Sequence, residues 1–250
     1  MAFLASDAVI VGNTTKEIIM ICHPDIPSIN SQWFPTSISI FMICVRGILN
    51  DRLTKKLPLL QSIMLFVHIA GFVAAIATLW ATSPRESVQD TLFNSTNGGG
   101  WSSAGTATLI GVLTPWSSVV GNDSGMHMSE SVVLSTSCRR PNADRTLLHI
   151  AENVQDASRV IPLALMASFT LNSVLALVAG VTLAFCIGDV AEVLSNPNQA
   201  PFITVYIKST GSKAAAVVLT LPILLCFMSA LVSQIATASR QMWSFSRDGG

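Results

Sequence analysis

The sequence predicts an all-α membrane protein, and three features predict it. Half of the 250 residues are hydrophobic, 11% are charged and mean hydropathy is +0.57, whereas a soluble domain carries about a quarter charged residues. Three apolar runs without an acid or base in their interiors are as long as the roughly 20 residues a helix needs to cross the hydrocarbon core. Basic residues gather in alternate loops, as short cytoplasmic connections require. About six transmembrane segments are expected.

Residues 1–22 are apolar but carry Asp7, Lys16 and Glu17, and read as the end of a longer helix. Met1-Ala2-Phe3-Leu4 enters apolar sequence at once, without the basic start of a cleavable signal. The segment Pro35 to Leu49 is shorter and ends at Arg46 and Asn50. Leu57 to Ala81 is a full span, and His68 in its middle reads as a hydrogen-bonded core residue. From about Ala104 into the 130s the chain is apolar but broken by Pro115 and by Gly121-Asn122-Asp123-Ser124-Gly125. Val160 to Ile187 and Ala214 to about Ala238 complete the set.

If every segment crosses, Arg46, Arg52, Lys55 and Lys56 lie on one side with Arg139, Arg140, Arg145, Arg159, Arg240 and Arg247. These are ten of the fourteen basic residues, so those loops are expected in the cytoplasm. The opposite loop, Thr82 to Ser103, is polar and Gly-rich, and it offers Asn94-Ser95-Thr96 as a glycosylation acceptor. The charges balance at 14 against 14, which gives no basic surface for nucleic acid. The five cysteines are scattered without a CxxC pair and read as packing residues.

The polar interruption carries the functional argument. Lipid offers no partners to backbone groups, so two glycines, an Asn, an Asp and a Ser inside an apolar segment need a reason. One reading is a broken helix whose half-helix ends and freed backbone hold a small substrate or ion at mid-membrane. The other is a polar helix packed inside the bundle, where small residues let neighbours approach. Asp123 and His127, and His127 and Glu130, share a helical face, but no third metal ligand is placed. No nucleotide-binding GxxxxGK[ST] loop occurs, and no catalytic constellation is in order. No cofactor and no enzymatic activity are expected.

The run GWSSAGTATLIGVLTPWSSVVGNDSGMHMSE, Gly100 to Glu130, resembles the sixth-helix signature of fungal amino-acid, GABA and choline permeases of the amino acid–polyamine–organocation superfamily. LTKKLP, VQDASRVIP and SRQMWSFSRDGG resemble the flanking pieces of those permeases, so the likeness covers nearly the whole chain. It implies a partial inverted-repeat transporter bundle, equivalent to the late third through eighth helices, with a broken sixth helix. It also implies ion-coupled transport of an amino acid, GABA or choline, with a proton as a candidate co-substrate, in a multi-pass plasma-membrane protein.

By that resemblance the substrate-binding residues are Gly121, Asn122 and Asp123 at the unwinding, Trp116 as an aromatic wall, and Ser117, Ser118 and Ser124 as hydrogen-bonding groups. A cationic substrate would favour an aromatic face. Asp123 reads either as a counter-charge or proton-coupling group, or as the cap of the second half-helix. The chain departs from the family by starting after the first two helices, by ending at Gly250, and by carrying residues 131–153 where the family joins directly. That stretch reads as an atypical cytoplasmic insertion or as an unspliced intron translated in frame. A half-built site leaves a second function open: a transport-inactive paralogue or a regulatory partner of a full-length permease.

Overall fold

In a computed structural model, the described residues are 2–26, 29, 31–53, 57–93, 100–119, 157–195 and 199–247. They form helices α1 (Ala2–Cys22), α2 (Trp33–Leu53), α3 (Leu57–Thr82), α4 (Val88–Phe93) and α5 (Ala104–Val119). After these come α6 (Ala157–Cys186), α7 (Val190–Leu194), α8 (Pro201–Thr210) and α9 (Lys213–Arg247). No strand occurs among the described residues, so the all-α expectation holds.

Among the described residues, three helices are long and apolar enough to span a membrane: Leu59–Thr82, Pro162–Cys186 and Lys213–Trp243. They coincide with the three unbroken apolar runs of the sequence. The boundaries differ near charged residues. Helix α2 continues past Arg46 and Asn50 to Leu53, and α9 runs past Ala238 to Arg247. A helix satisfies its backbone internally whatever its side chains, so it can leave the apolar layer without ending.

The chain divides into two compact units, residues 1–96 with 179–236, and residues 97–178 with 237–250. In the first, α3 and α9 run antiparallel. Gln61 meets Ser233, His68 meets Cys226, and Gly71 lies against Pro222, so each step forward along α3 meets a similar step back along α9. Leu79 and Ala216 then close the row in one apolar cluster with Cys186, Val193, Val205 and Tyr206. That cluster joins the end of α3, the end of α6, α7, α8 and the start of α9. Trp80 Nε1 donates to Thr182 Oγ1 at 3.0 Å, and Ser83 Oγ donates to the Cys186 carbonyl at 3.2 Å.

The connections after α3 and before α9 therefore share one end of this unit, as required if the loops on that side lie opposite the basic ones. Between α6 and α9, α8 is short and half apolar, yet Ile203, Val205, Tyr206 and Ser209 are buried. Pro201 opens it, where a missing N–H costs nothing, and Gly211 at φ 63° closes it in the left-handed conformation. Asp189 caps α7 by accepting from the Ala191 N–H at 2.9 Å, and Lys208 pairs with Glu192 at 2.7 Å.

A second cluster in the same unit binds α1 to α2 and α9 through Ala8, Val11 and Leu231, with Leu4, Met42, Ile43, Leu224, Phe227 and Met228 around them. Lipid is as apolar as leucine, so close packing holds such helices together rather than transfer from water. Gly12 illustrates it: a Cβ there would lie 2.5 Å from the Pro35 carbonyl oxygen.

In the second unit, Ser103 precedes α5, and its Oγ accepts from the Thr106 N–H at 3.1 Å. The part of α6 that belongs to this unit exposes Leu163, Met166, Val174 and Leu177, a surface suited to hydrocarbon. Tryptophans mark segment ends in both units: exposed Trp33 opens α2, Trp80 stands near the end of α3, and Trp243 near the end of α9. Their amphipathic rings favour the headgroup level.

Candidate functional site

Of the residues implicated by the sequence, Trp116, Ser117 and Ser118 fall in the final turns of α5. Gly121, Asn122, Asp123 and Ser124 lie outside the described residues, as do Asn94, His127, Glu130 and residues 131–153. The described helix carries Pro115 within it and runs unbroken from Ala104 to Val119. An uninterrupted segment of hydrogen-bonded backbone therefore leads up to the polar run.

What the described residues bring together is a set of polar pairs on the flanks of α9. Gln61 of α3 donates from Nε2 to Ser233 Oγ at 2.5 Å, and its Oε1 accepts from Ser229 Oγ at 3.4 Å. Ser229 and Ser233 are four residues apart and so share one helix face, which lets a single carboxamide bridge both. Around the helix, Gln234 Nε2 donates to Asp7 Oδ2 of α1. Ser229 is buried, and Gln61, Ser233, Gln234 and Asp7 are half-buried. Interhelical hydrogen bonds of this kind average about 0.6 kcal/mol in membranes.

His68 Nδ1 lies 3.7 Å from Cys226 Sγ. The expected hydrogen-bonding partner is there, but His68 itself is exposed, on the flank of α3 and not in a core. At the other end of the unit, Arg85 stacks over the Trp80 ring, 4.7 Å from its centroid, and donates to the Trp80 carbonyl at 3.0 Å. That cation–π contact anchors the connection that leads toward α4. Among the described residues no group of three metal-ligating side chains converges.

The sequence analysis does not point to Gln61, Ser229, Ser233 or Gln234, and Asp7 enters it only as a charge in an apolar stretch. A signal was present. Ser229, Ser233 and Gln234 cluster on an otherwise apolar span, and polar groups there face protein partners rather than lipid.

A family model described as amino acid permease matches residues 1–250. The chain is 27% identical over 201 residues to a choline transporter of Saccharomyces cerevisiae, covering 78% of this chain and 31% of that protein. It is 25% identical over 228 residues to amino-acid permease 2 of Neurospora crassa, covering 88% and 38%. It is 28% identical over 194 residues to a swainsonine transporter of Arthroderma benhamiae, covering 78% and 33%. The chain thus spans about a third of the length of these three relatives. No solved structure shows significant similarity to it.

Proposed function

Because the chain belongs to the amino acid permease family, we propose that it forms part of a secondary transporter for amino acids or related amines such as GABA and choline. The match over residues 1–250, together with three membrane-length apolar helices, is the observation that carries this reading. Transport is coupled to an ion gradient, with a proton as the co-substrate, and takes place in the plasma membrane.

The substrate site is assigned to the polar run after α5. Unwinding at Gly121, Asn122 and Asp123 frees backbone N–H and C=O groups and exposes half-helix ends, whose partial charges suit the two ends of a zwitterion. Trp116 supplies an aromatic face for an amine, and Ser117, Ser118 and Ser124 supply hydroxyl groups. Residues 131–153 are a cytoplasmic insertion that a loop accommodates at small entropic cost. Asn94 is the glycosylation acceptor on the opposite side. Helices homologous to the remaining two thirds of the relatives complete the site.

Uptake of labelled amino acids, GABA and choline by permease-deficient yeast tests this. One strain expresses the 250-residue chain, another a chain extended to relative length with residues 131–153 deleted. Substrate accumulation by the extended form, lost on substitution of Asn122 and Asp123 by Ala, is the expected result. No accumulation by either form, with both present at the membrane, would overturn the transport reading and favour a regulatory partner.

A further inference from the structure

We infer that the first compact unit carries a paired hinge at the crossing of Gly71 and Pro222, about which one end of the unit tilts until Thr204 bonds to Glu17. The hinge lies where both helices are weakest. Pro222 is the one proline of α9 and stands in its interior. Its nitrogen has no N–H to offer the Val218 carbonyl, and its ring crowds that carbonyl, so the helix bends most easily there. Thr220 adds to this, because its hydroxyl donates to the Ala216 carbonyl at 2.8 Å, a back-bond that bends helices. Facing Pro222 on α3 is Gly71, the one glycine of that helix and its residue of greatest backbone freedom.

Packing changes partners at the same level. On α9, Ala216, Leu219 and Ile223 belong to the cluster shared with α6, α7, α8 and the end of α3. Leu224, Phe227, Met228 and Leu231 belong to the cluster shared with α1 and α2. No residue belongs to both. Helix α3 divides likewise: Ala75 and Leu79 lie in the first cluster, whereas Gln61 and His68 meet α9 beyond its proline. Each end of the unit is thus packed within itself, and α3 and α9 run between the two ends through their weak points.

Away from the hinge, α1 reaches across to α8. The Glu17 carboxylate accepts from the Ala200 backbone N–H at the start of α8. This contact is incomplete: Glu17 Oε2 is buried without a hydrogen-bond partner among the described residues, and so is Thr204 Oγ1. Thr204 stands one turn along α8 from Ala200, about 5.4 Å. Helical side chains lean toward the N-terminus, so its hydroxyl leans back toward the end that Glu17 holds. Leaving a donor and an acceptor both buried and unpaired is costly, and joining them satisfies both. A tilt about the Gly71–Pro222 crossing that carries α8 past α1 by less than one turn brings them together. No residue need leave its cluster. The unit therefore has two arrangements, the one in the structure and a tilted one closed by Thr204 Oγ1 donating to Glu17 Oε2.

Distances between paired spin labels test this on the 250-residue chain in liposomes, with the native cysteines replaced by alanine. Labels at exposed Leu194 of α7 and exposed Ile48 of α2 span the hinge, whereas Leu194 with Val218, and Val9 with Ile48, each lie within one end. The expected result is two populated distances across the hinge, differing by no more than about 5 Å, and one distance within each end. Pro222→Ala, which restores the missing N–H, should leave a single distance. Thr204→Val, which keeps the shape without the hydroxyl, should lose the tilted population, and Thr204→Ser should regain it. One cross-hinge distance in the wild type, or two that persist in Pro222→Ala, would overturn the hinge. Two distances unchanged in Thr204→Val would overturn the contact with Glu17. If Pro222→Ala does not fold, the Thr204 pair decides. In the extended permease, Pro222→Ala should lower the maximal uptake rate at least about tenfold, equivalent to about 1.4 kcal/mol on the barrier; this step rests on the transport reading, and the hinge does not. An unchanged rate would remove the hinge from the transport cycle. A wild type that moves no substrate would refute the transport reading and leave the label distances to decide the hinge by themselves.

Discussion

Gly71 is the position at which the contact between α3 and α9 is most open to measurement. A Cβ there would lie 2.5 Å from Pro222 Cβ and 3.0 Å from Pro222 Cγ. Ordinary carbon–carbon contact is about 3.5–4.0 Å, so the helices must part by roughly 1 Å. The proline ring cannot rotate away as a flexible side chain would. Overpacking of this sort costs about 1–3 kcal/mol, while alanine gains about 0.5–1 kcal/mol over glycine within a helix. Gly71→Ala should therefore lose about 0–2.5 kcal/mol net. At about 2–4 °C per kcal/mol for a chain of this size, the midpoint of thermal unfolding falls by up to about 10 °C.

Gly180, in the interior of α6, provides the control. A Cβ there meets nothing within 4 Å, so Gly180→Ala keeps only the propensity gain and should raise the midpoint slightly. The assay is fluorescence-detected thermal unfolding of detergent-solubilised protein, with both variants at equal expression. Equal midpoints for the two variants, or a Gly71→Ala variant more stable than Gly180→Ala, would refute the reasoning. A second readout follows from the parting of the helices: Cys226, next to His68 on the same row, should react faster with a thiol reagent in Gly71→Ala.

Further expectations concern the polar contacts. Trp80→Phe removes the donor to Thr182, which is 1% exposed, and should cost about 1–3 kcal/mol in the same unfolding assay. Gln61→Leu breaks both serine contacts of α9 and should cost about 1–2 kcal/mol; the double variant with Ser233→Ala should lose little more, because the two share one interaction. Tyr206 lies in α8, in the connection between two spans, and burial raises its hydroxyl above the usual value. The neutral phenol is the form that packs, so its contribution is intact below about pH 10 and is lost as pH rises through the raised folded value. Tyr206→Phe should flatten that alkaline loss in an unfolding series.

The spans were legible in the sequence because their signal is local. Leu57 to Ala81 and α3 agree to within a residue, since twenty-odd apolar residues have one low-energy arrangement in lipid. Helix α8 was not legible. Pro201-Phe-Ile-Thr-Val-Tyr-Ile-Lys-Ser-Thr is too short and too polar to span, and its burial depends on a cavity formed by α3, α6, α7 and α9. The polar pairs were hidden for a related reason. Gln61 and Ser233 are 172 residues apart and Asp7 and Gln234 are 227 apart, so only the tertiary register shows that they meet. The substrate residues proposed after α5 rest on motif resemblance, and of these only Trp116, Ser117 and Ser118 fall on a described helix.

The stepwise match between α3 and α9 makes chain length, rather than residue identity, the quantity under strictest control there. Substituting one residue of the row disturbs one contact. Inserting a single residue between Gln61 and Gly71 turns everything beyond it by about 100° and shifts it by about 1.5 Å. Either Gln61 then faces away from its serines or Gly71 faces away from Pro222, and no local repair restores both. The connections between spans carry no such phase, and their length can vary at little cost. Related chains should therefore show insertions and deletions freely in the connections, while the ten-residue interval from Gln61 to Gly71 stays fixed even where its residues change.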